Sequence, residues 1–451
     1  MKIRLKVTFA LFGWLAVTSN VKGAEYFIHD GDRVVFLGDS ITEQRLFTTY
    51  IETYSLTRYP TWNLTFRNVG WGGDTSWLRQ RSHKDQKSFE KELFAADAAT
   101  QQQMVEEVVG NGLSRDVLPL KPTVVTVDFG MNDHNYQSFR EDIFRAYIRS
   151  QAQTAKVLEA SGARVVLLTP QPMEQMRPDS NNDLDNLSLG KFSDGLRVLS
   201  IIENTAFVDQ FDPYMAIMMR EHPINPAVRI GGGDAVHPGP PGHTLMAWII
   251  LKSLGAPALV SRVEIASDSQ KVTGTQCCRV ENLQTTNGIL SFDRLDEALP
   301  MPIDPRAQFA LKLAPILDEL DQYELQVTGL AAGDYEVSID GEVVAKMSAD
   351  SLAGGCNLAA TAGPMTRQSQ TVMDLVFAKN NLFYKRWRNA IRTVNGNADE
   401  TTRNDEVISL DKQIAEAEAK INVVRQPVSH HFELKRAGYT INAENLEPSL
   451  K

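Results

Sequence analysis

The sequence predicts an α/β domain built on a parallel sheet, followed by a β-rich module and by C-terminal helices. Three observations support this prediction. Short apolar runs alternate with helical spacing up to about residue 254, alternating strands dominate after residue 256, and helical spacing returns near residue 365. A chain of 451 residues is too long for one core and is expected to form two or three domains.

Most of the candidate strands in the first domain are nearly continuous in apolar and β-branched residues, as strands covered on both faces tend to be. They are residues 33–37 (RVVFL), 64–69 (LTFRNV), 123–129 (TVVTVDF), 164–169 (RVVLLT) and 206–210 (AFVDQ). Helices of ordinary length lie between them, such as 139–160, which precedes the helix-ending residue Gly162. Residues 84–116 exceed a tight connection, and we expect a helical insertion over the site.

The spacing of apolar residues changes after residue 256. Alternation in 261–267 and in 323–347, around the turn signals AAGD and DG, is typical of antiparallel strands. A β-sandwich-like module is therefore expected over residues 257–364, followed by a helical C-terminal segment over 365–451. Residues 375–391 mix cations and aromatics, and we interpret them as a helix packed on a neighbour rather than a nucleic-acid site.

Composition and charge exclude several classes of protein. With 43% hydrophobic and 23% charged residues the chain has a globular composition, and disorder is excluded as its main state. A formal net charge of −10 argues against nucleic acid and anionic membranes as partners.

The N-terminus has the pattern of a signal peptide over residues 1–23. The basic start MKIRLK precedes an apolar run of 11 residues (VTFALFGWLAV), which is too short to span a bilayer. We predict cleavage near Gly23 and an exported protein without stable membrane insertion, with the choice between periplasm and secretion left open. An uncleaved signal anchor is the alternative.

Three cysteines allow at most one ordinary long-range disulfide. Cys356 is the candidate partner of either Cys277 or Cys278, and the sequence leaves that choice open. The chain has no CxxC, HExxH or EF-hand pattern, so we expect no metal.

Short motifs follow successive candidate strands, at the edge where open α/β sheets build ligand sites. Residues 38–40 (GDS) place Ser40 at a helix start, where its amide and the helix dipole face a ligand. Residues 68–73 (NVGWGG) form a glycine-rich turn with backbone donors, and residues 130–133 (GMND) place the amide of Asn132 beside a strand end. Each motif alone also fits an ordinary cap or turn.

A fourth motif places Asp234 three residues before His237. This spacing lets the carboxylate accept the Nδ1 proton and leaves Nε2 free as a general base. Together the four motifs supply a nucleophile, a base with its carboxylate and several oxyanion donors. No G-x-S-x-G pattern surrounds Ser40, which argues against an α/β-hydrolase nucleophile elbow.

In these four motifs the chain resembles the SGNH (GDSL-type) esterase and lipase superfamily, whose blocks are GDS, a glycine in an N-x-G-x-x-G-type turn, G-x-N-D and D-x-x-H. The resemblance covers residues 33–254 and implies a catalytic domain over 24–256 with a flavodoxin-like sheet of order 2-1-3-4-5. It further implies a set of roles for site residues: Ser40 as nucleophile, Asp234 and His237 as the rest of the triad, and Ser40, Gly73 and Asn132 as the oxyanion hole. Gly70 and Gly72 are alternatives to Gly73.

The family likeness implies a serine esterase that works through an acyl-enzyme on Ser40 and needs no cofactor. We expect its substrate to be a small-molecule or glycan ester, with acetyl groups on carbohydrate preferred, because of the predicted export and the trailing β module. Trp71, Trp77 and His134 are candidate substrate contacts. The alternatives are a lipase or lysophospholipase of the same superfamily, or a non-catalytic binding protein on the same fold. The sequence leaves the oligomeric state open.

Overall fold

A computed structural model of the chain describes residues 25–81, 85–174, 182–224, 229–391 and 400–438. The predicted signal peptide therefore lies outside the described residues. A parallel sheet of order β2-β1-β3-β4-β5 forms the centre of the first domain, which confirms the order that the family resemblance implied. Its strands are β1 (Arg33–Gly38), β2 (Thr65–Asn68), β3 (Val124–Asp128), β4 (Arg164–Leu168) and β5 (Ala206–Val208).

Helices cover both faces of this sheet. They are α1 (Ser40–Glu43), α2 (Leu46–Arg58), α3 (Gln86–Ala95), α4 (Ala98–Asp116), α5 (Glu141–Ala160), α6 (Asn182–Glu203), α7 (Phe211–Glu221) and α8 (Pro240–Ser253). Successive residues of β1 enter different cores, since Val34 and Phe36 pack with α2 and α8 while Val35 packs with α4 and α5. Burial on both faces explains why the strand is continuously apolar.

The segment that was expected to cover the site contains α3 and α4 in its described part, residues 85–116. Helix α4 runs along α5, and Gly112 lies so close to Leu78 that an added Cβ would come within 2.7 Å of its Cδ1. Asp116 at the end of α4 pairs with the buried Arg81. The segment is therefore part of the catalytic domain and packs against α5 and residues 77–81.

The β-rich module consists of two sheets around a common core. One sheet has the order β13-β10-β6-β7 and the other β12-β11-β14-β9-β8. Their strands are β6 (Leu259–Ala266), β7 (Lys271–Gln276), β8 (Cys278–Thr286), β9 (Ile289–Asp296), β10 (Gln322–Thr328), β11 (Asp334–Ile339), β12 (Glu342–Ser348), β13 (Cys356–Asn357) and β14 (His430–Arg436). Short helices α9 (Ala310–Leu313), α10 (Ile316–Leu320) and α11 (Ala349–Gly354) connect them. Antiparallel pairing prevails, although β6 and β10 pair in parallel.

The C-terminal segment is not purely helical, and that part of the prediction is wrong. It contains α12 (Pro364–Tyr384), a π-helical extension (Lys385–Ile391) and α13 (Glu400–Val424), but it then enters the sandwich as β14. Strand β14 lies between β11 and β9, with Phe432 and Leu434 in the core. Its three buried residues, of which only Phe432 and Leu434 are apolar, are a weak period-2 signal beside the long helical pattern that precedes them.

Helix α12 packs on the catalytic domain. Val372 and Val376 belong to the same core as α2 and α8. The Lys379 ammonium donates to Glu52 Oε1 on α2 at 2.6 Å, and both side chains are almost completely buried. The C-terminal segment therefore joins the first domain through apolar packing and a buried ion pair.

All three cysteines are free in the structure. The thiols of Cys278 and Cys356 donate to the backbone carbonyls of Arg262 and Leu325. The disulfide that the sequence allowed is therefore not formed here. Among the described residues, no helix combines the length and the apolar character that crossing a bilayer requires.

Candidate active site

The four motifs meet at the carboxyl edge of the parallel sheet. Ser40 begins α1 directly after β1, and its Oγ lies 2.8 Å from His237 Nε2. His237 Nδ1 in turn lies 3.1 Å from Asp234 Oδ2. The structure thus brings together the three predicted triad residues in one line of contacts, although Ser40 and His237 are 197 residues apart in sequence.

The Asp234–His237 turn is stabilised by its own backbone. Asp234 Oδ1 accepts the N–H groups of Val236 at 2.8 Å and of His237 at 2.7 Å, while the Asp234 N–H donates to the His237 carbonyl at 3.0 Å. Partial burial acts to raise the pKa of Asp234, but these donors outweigh it and lower that pKa below its ordinary value. The carboxylate is therefore ionised at neutral pH and orients the imidazole.

A buried carboxyl supports this turn from behind. Glu174 Oε1 accepts the Gly231 N–H at 2.8 Å and the Tyr214 hydroxyl at 2.7 Å. The Glu174 N–H donates to the carbonyl of Ala235, inside the turn, at 2.9 Å. Glu174 therefore connects β4 and α7 to the loop that carries the imidazole.

The glycine-rich turn offers several amides, and their partners distinguish them. The Gly70 N–H donates to Asn68 Oδ1 at 2.9 Å and the Gly72 N–H donates to Glu43 Oε2 at 2.8 Å. Within the described ranges, the N–H groups of Gly73 and Ser40 have no hydrogen-bond partner. Gly73 also has φ of +74°, a conformation that favours glycine. Of the three glycines, Gly73 is the one whose amide is free to bind a ligand.

Asn132 is buried at the floor of the site. Its Nδ2 donates to the Asp74 carbonyl at 3.0 Å. The other hydrogen on Nδ2 makes only a long contact of 3.4 Å with Asp39 Oδ2. The Tyr136 hydroxyl donates to Asn132 Oδ1 at 3.2 Å and thereby fixes the orientation of the amide. Tyr136 has φ of +52°, a costly conformation for an aromatic residue, which suggests a functional constraint.

Buried carboxyls lie beneath these donors. Asp39 caps α1 by accepting the Ile41 N–H, and Asp133 accepts the N–H groups of Ser76 and Gly130. Burial raises the pKa of Asp39 to about 8 and that of Asp133 to about 7, with neighbouring carboxyls adding to the effect at Asp39. A protonated Asp39 does not repel negative charge that develops beside Asn132.

The predicted substrate contacts are wrong for three side chains. Trp77 is fully buried and donates to Glu90, while Trp71 lies beneath Trp387 and is 9% exposed. His134 is 3% exposed, and burial lowers its pKa although its contact with Asp185 acts to raise it. These side chains are bulky enough to fill the cores around the site, and core packing has covered the faces that a substrate would need.

Sequence reasoning missed Glu43, Tyr136 and Glu174. Glu43 could have been found, because it lies one helical turn after Ser40 in the same motif and faces the second motif. Tyr136 and Glu174 have no recognisable pattern, since their roles depend on loop conformation. Across the residues described, no group of three or more His, Cys, Asp or Glu side chains could hold a metal ion.

Comparison with known proteins gives a family match and structural neighbours. Residues 36–245 match the model of the GDSL-like Lipase/Acylhydrolase family. No curated protein sequence matches the chain. The gut microbial diltiazem-metabolizing enzyme BT4096 is 24% identical, and its superposition covers 92% of this chain and 99% of that one with a TM-score of 0.75. It shows that the fold recurs through the sandwich and the C-terminal helices.

Two other solved structures cover only about half of this chain. The acetylxylan esterase Axe2 from Geobacillus stearothermophilus is 17% identical over 51% of this chain and 96% of its own, with a TM-score of 0.37. LAE5, an alpha/beta hydrolase enzyme from the metagenome of Lake Arreo, Spain, is 18% identical over 51% and 98%, with a TM-score of 0.38. Over residues 36–245, slightly less than half of its length, the chain matches the GDSL-like lipase/acylhydrolase family, and this match supports a carboxylic ester hydrolase.

Proposed function

We propose that the chain is an exported serine esterase that hydrolyses small acyl esters, acetyl esters above all, on carbohydrate. One observation carries the proposal: a continuous line of contacts runs from Asp234 through His237 to Ser40, beside the free amides of Gly73 and Ser40. A nucleophile, a base with its orienting carboxylate and free N–H donors are the groups that acyl transfer requires.

The first half-reaction forms an acyl-enzyme. His237 Nε2 accepts the Ser40 Oγ proton across 2.8 Å while Oγ attacks the ester carbonyl. The N–H groups of Ser40 and Gly73 and the amide of Asn132 bind the oxyanion of the tetrahedral intermediate. His237 then gives its proton to the leaving alcohol, and the acyl group remains esterified to Ser40.

The second half-reaction repeats these steps with water. His237 takes a proton from water as the hydroxide attacks the acyl carbonyl, and it returns that proton to Ser40 Oγ as the acid departs. Asp234 stabilises the imidazolium in both halves, because its carboxylate holds the Nδ1 proton. The scheme uses only groups of this chain and water.

The position of the apolar groove supports a small acyl group. A groove of about 750 Å³ lies between α6 and α7 and is lined by residues such as Leu187, Phe211 and Met215, but by none of the triad. The α3–α4 segment, the other candidate source of an acyl channel, packs against α5. The groove between α6 and α7 therefore does not border the triad, which favours a short acyl group on Ser40.

The openness of the site supports a bulky polar alcohol portion. The side chains of His237 and Asp234 are 36% and 63% exposed, and Tyr136 is 46% exposed beside Asn132. A sugar ring in a longer glycan can approach such a site, and Tyr136 offers an aromatic face for it. Since Trp71 and Trp77 are buried, Tyr136 replaces them as the proposed sugar contact.

Acyl-chain dependence tests the substrate. We expect kcat/KM to be highest for p-nitrophenyl acetate, lower for butyrate and negligible for octanoate, because a pocket for one methyl group excludes longer chains. A lipid-binding groove gives the opposite trend, gaining up to about 0.8 kcal/mol per buried methylene. Acetate release from acetylated xylan should accompany the acetate preference, with Ser40→Ala as the inactive control. Activity that rises toward octanoate contradicts the proposal.

Export is tested separately. The basic start and apolar run of the first 23 residues support a cleaved signal peptide. We expect N-terminal sequencing of protein recovered outside the cytoplasm to begin at Ala24. Full-length protein that stays with the cytoplasmic fraction contradicts this part of the proposal and leaves the esterase chemistry unaffected.

A further inference from the structure

The acidic side chain one turn after the nucleophile binds the turn that carries the free Gly73 amide. Glu43 Oε2 accepts the Gly72 N–H at 2.8 Å. A Cβ added to Gly72 would lie 2.7 Å from this oxygen and 3.8 Å from Ser40 Cβ. Gly72 is therefore packed between the nucleophile and Glu43, and the contact sets where Gly73, the next residue, stands relative to Ser40.

The other oxygen of Glu43 is held by the C-terminal segment. The Tyr384 hydroxyl donates to Glu43 Oε1 at 3.1 Å, and Arg388 Nε lies 3.5 Å from the same oxygen. Tyr384 is 341 residues away from Glu43 in sequence. The carboxylate is thus bound on one side by the glycine-rich turn and on the other by the end of α12 and its π-helical extension.

The same segment also contacts Trp71, the residue before Gly72. The guanidinium of Arg388 lies 3.8 Å from the centroid of the Trp71 ring, a distance typical of a cation–π contact. Trp387 meets Trp71 edge-on, with centroids 5.8 Å apart and an interplanar angle of 89°. Trp387 and Arg388 therefore contact the turn directly at Trp71, and Tyr384 and Arg388 reach Gly72 through Glu43.

The C-terminal segment is itself fixed to the catalytic domain. Lys379 and Asn380, one turn before Tyr384, both donate to the buried Glu52 carboxylate on α2. Since α2 follows α1 after a short connection, the anchor of the segment and the nucleophile belong to the same part of the domain. A rigid support of this kind can maintain a donor to the accuracy that catalysis needs.

We propose that Glu43 is a positioning residue for the oxyanion hole, and that Tyr384 and Arg388 hold its carboxylate in place. The second half of the chain thereby completes the catalytic centre. The inference rests on the proposed role of Ser40 and Gly73 in ester hydrolysis. Because an oxyanion donor acts mainly in the transition state, misplacing Gly73 should lower kcat far more than it raises KM.

Kinetics on p-nitrophenyl acetate test this role. We expect Glu43→Ala to lower kcat about 10- to 100-fold while KM changes less than about threefold. Glu43→Gln should recover most of the rate, because its amide oxygen can still accept the Gly72 N–H. Tyr384→Phe removes one hydroxyl and should lower kcat several-fold without affecting folding. An unchanged kcat in both Glu43→Ala and Tyr384→Phe overturns the inference.

A matched control lies in the same extension. Arg386 pairs with Asp411 on α13 rather than with Glu43. We expect Arg388→Met to lower kcat several-fold and Arg386→Met to leave it unchanged. Equal losses in the two variants overturn the inference, because they would show a general effect of the extension rather than a contact with Glu43.

Binding of methylboronic acid separates this inference from the choice of substrate. The reagent forms a tetrahedral adduct with a serine Oγ, so its affinity measures the oxyanion hole without turnover. We expect Glu43→Ala to weaken binding by about the same factor as it lowers kcat. If wild-type protein binds the boronic acid but does not cleave the acetate ester, the substrate proposal fails. The boronic acid affinities of wild type and Glu43→Ala still test the positioning role of Glu43. Equal boronic acid affinity in wild type and Glu43→Ala overturns it.

Discussion

The two sides of the catalytic centre are built differently. Ser40 and Asn132 lie at the ends of buried strands, where the neighbouring side chains are covered by packing. Asp234 and His237 lie on a loop with side chains 63% and 36% exposed, held mainly by bonds within their own turn. The position of the nucleophile side therefore depends on the packing of the whole domain. The base side is a turn stabilised by its own hydrogen bonds, which the fold only has to place beside Ser40.

The nucleophile side also depends on distant sequence. Helix α2, which follows the nucleophile helix, is joined to α12 by the buried Lys379–Glu52 pair. The base side receives its support from Glu174 and Tyr214, which lie within the catalytic domain itself. Damage to the C-terminal segment should therefore affect the nucleophile side first.

The largest expected effect comes from substitutions that break the contact between Ser40 and His237, where the two sides meet. Ser40→Ala and His237→Ala should each lower kcat/KM on the order of 10⁴-fold or more, because nucleophile and base act as one unit. The double variant should lose little beyond either single one, and the melting temperature should stay close to wild type. Rates for single and double variants on p-nitrophenyl acetate measure this. Near-wild-type turnover of Ser40→Ala contradicts the acyl-enzyme mechanism.

The next effect concerns the stability of the nucleophile side. Lys379→Ala leaves the buried Glu52 carboxylate without its cation, and we expect a loss of about 3–5 kcal/mol in the free energy of unfolding. Lys412→Ala is the control, because Lys412 is exposed and makes only a long contact of 4.0 Å with Glu416. This substitution should lower the free energy of unfolding by less than about 0.5 kcal/mol. Urea unfolding of both variants measures the difference. Equal small losses would show that α12 is not anchored through this pair.

A third effect separates donation from orientation within the nucleophile side. Asn132→Ala should lower kcat by about 10²–10³-fold if its amide binds the oxyanion. Tyr136→Phe keeps that amide and removes only the hydroxyl that contacts Asn132 Oδ1, so its loss should be several-fold. Steady-state kinetics of the two variants on the acetate ester compare them. A larger loss for Tyr136→Phe would move the essential role from Asn132 to the tyrosine.

The sequence predicted those parts of the molecule that depend on short-range pattern. Strands β1, β3 and β4 were visible because burial on both faces leaves continuous apolar runs. The candidate triad and oxyanion residues were visible because each occupies a short, recognisable motif in the sequence. Identity and spacing were sufficient for these residues, because each motif is local in sequence even though Ser40 and His237 are 197 residues apart.

Two of the failures come from contact between segments that are distant in sequence. Trp71 was taken for a substrate platform, but Trp387, which covers it, lies more than 300 residues later in the chain. β14 could not be placed because its partners β9 and β11 lie far upstream of it. Short motifs carry no information about such long-range pairings. The sequence analysis therefore overestimated the exposure of the Trp71 side chain beside the site.

The last expected effect concerns the protonation of Asp39 on the nucleophile side. Burial raises the pKa of Asp39 to about 8 in the folded protein, while the unfolded chain returns it to about 3.9. The folded state therefore binds more protons between these values, so the stability that Asp39 contributes is present below about pH 4 and is lost as the pH rises towards 8. One such proton gives a slope of at most about 1.4 kcal/mol per pH unit.

Asp39→Asn cannot titrate, and we expect its unfolding free energy to fall less than that of wild type from pH 5 to pH 8. Asp234→Asn is the matched control, because its carboxyl has a lowered pKa and lies on the exposed side. Parallel stability curves for wild type and Asp39→Asn across this range would show that Asp39 is ionised in the folded enzyme and that the nucleophile side is more polar than its burial implies.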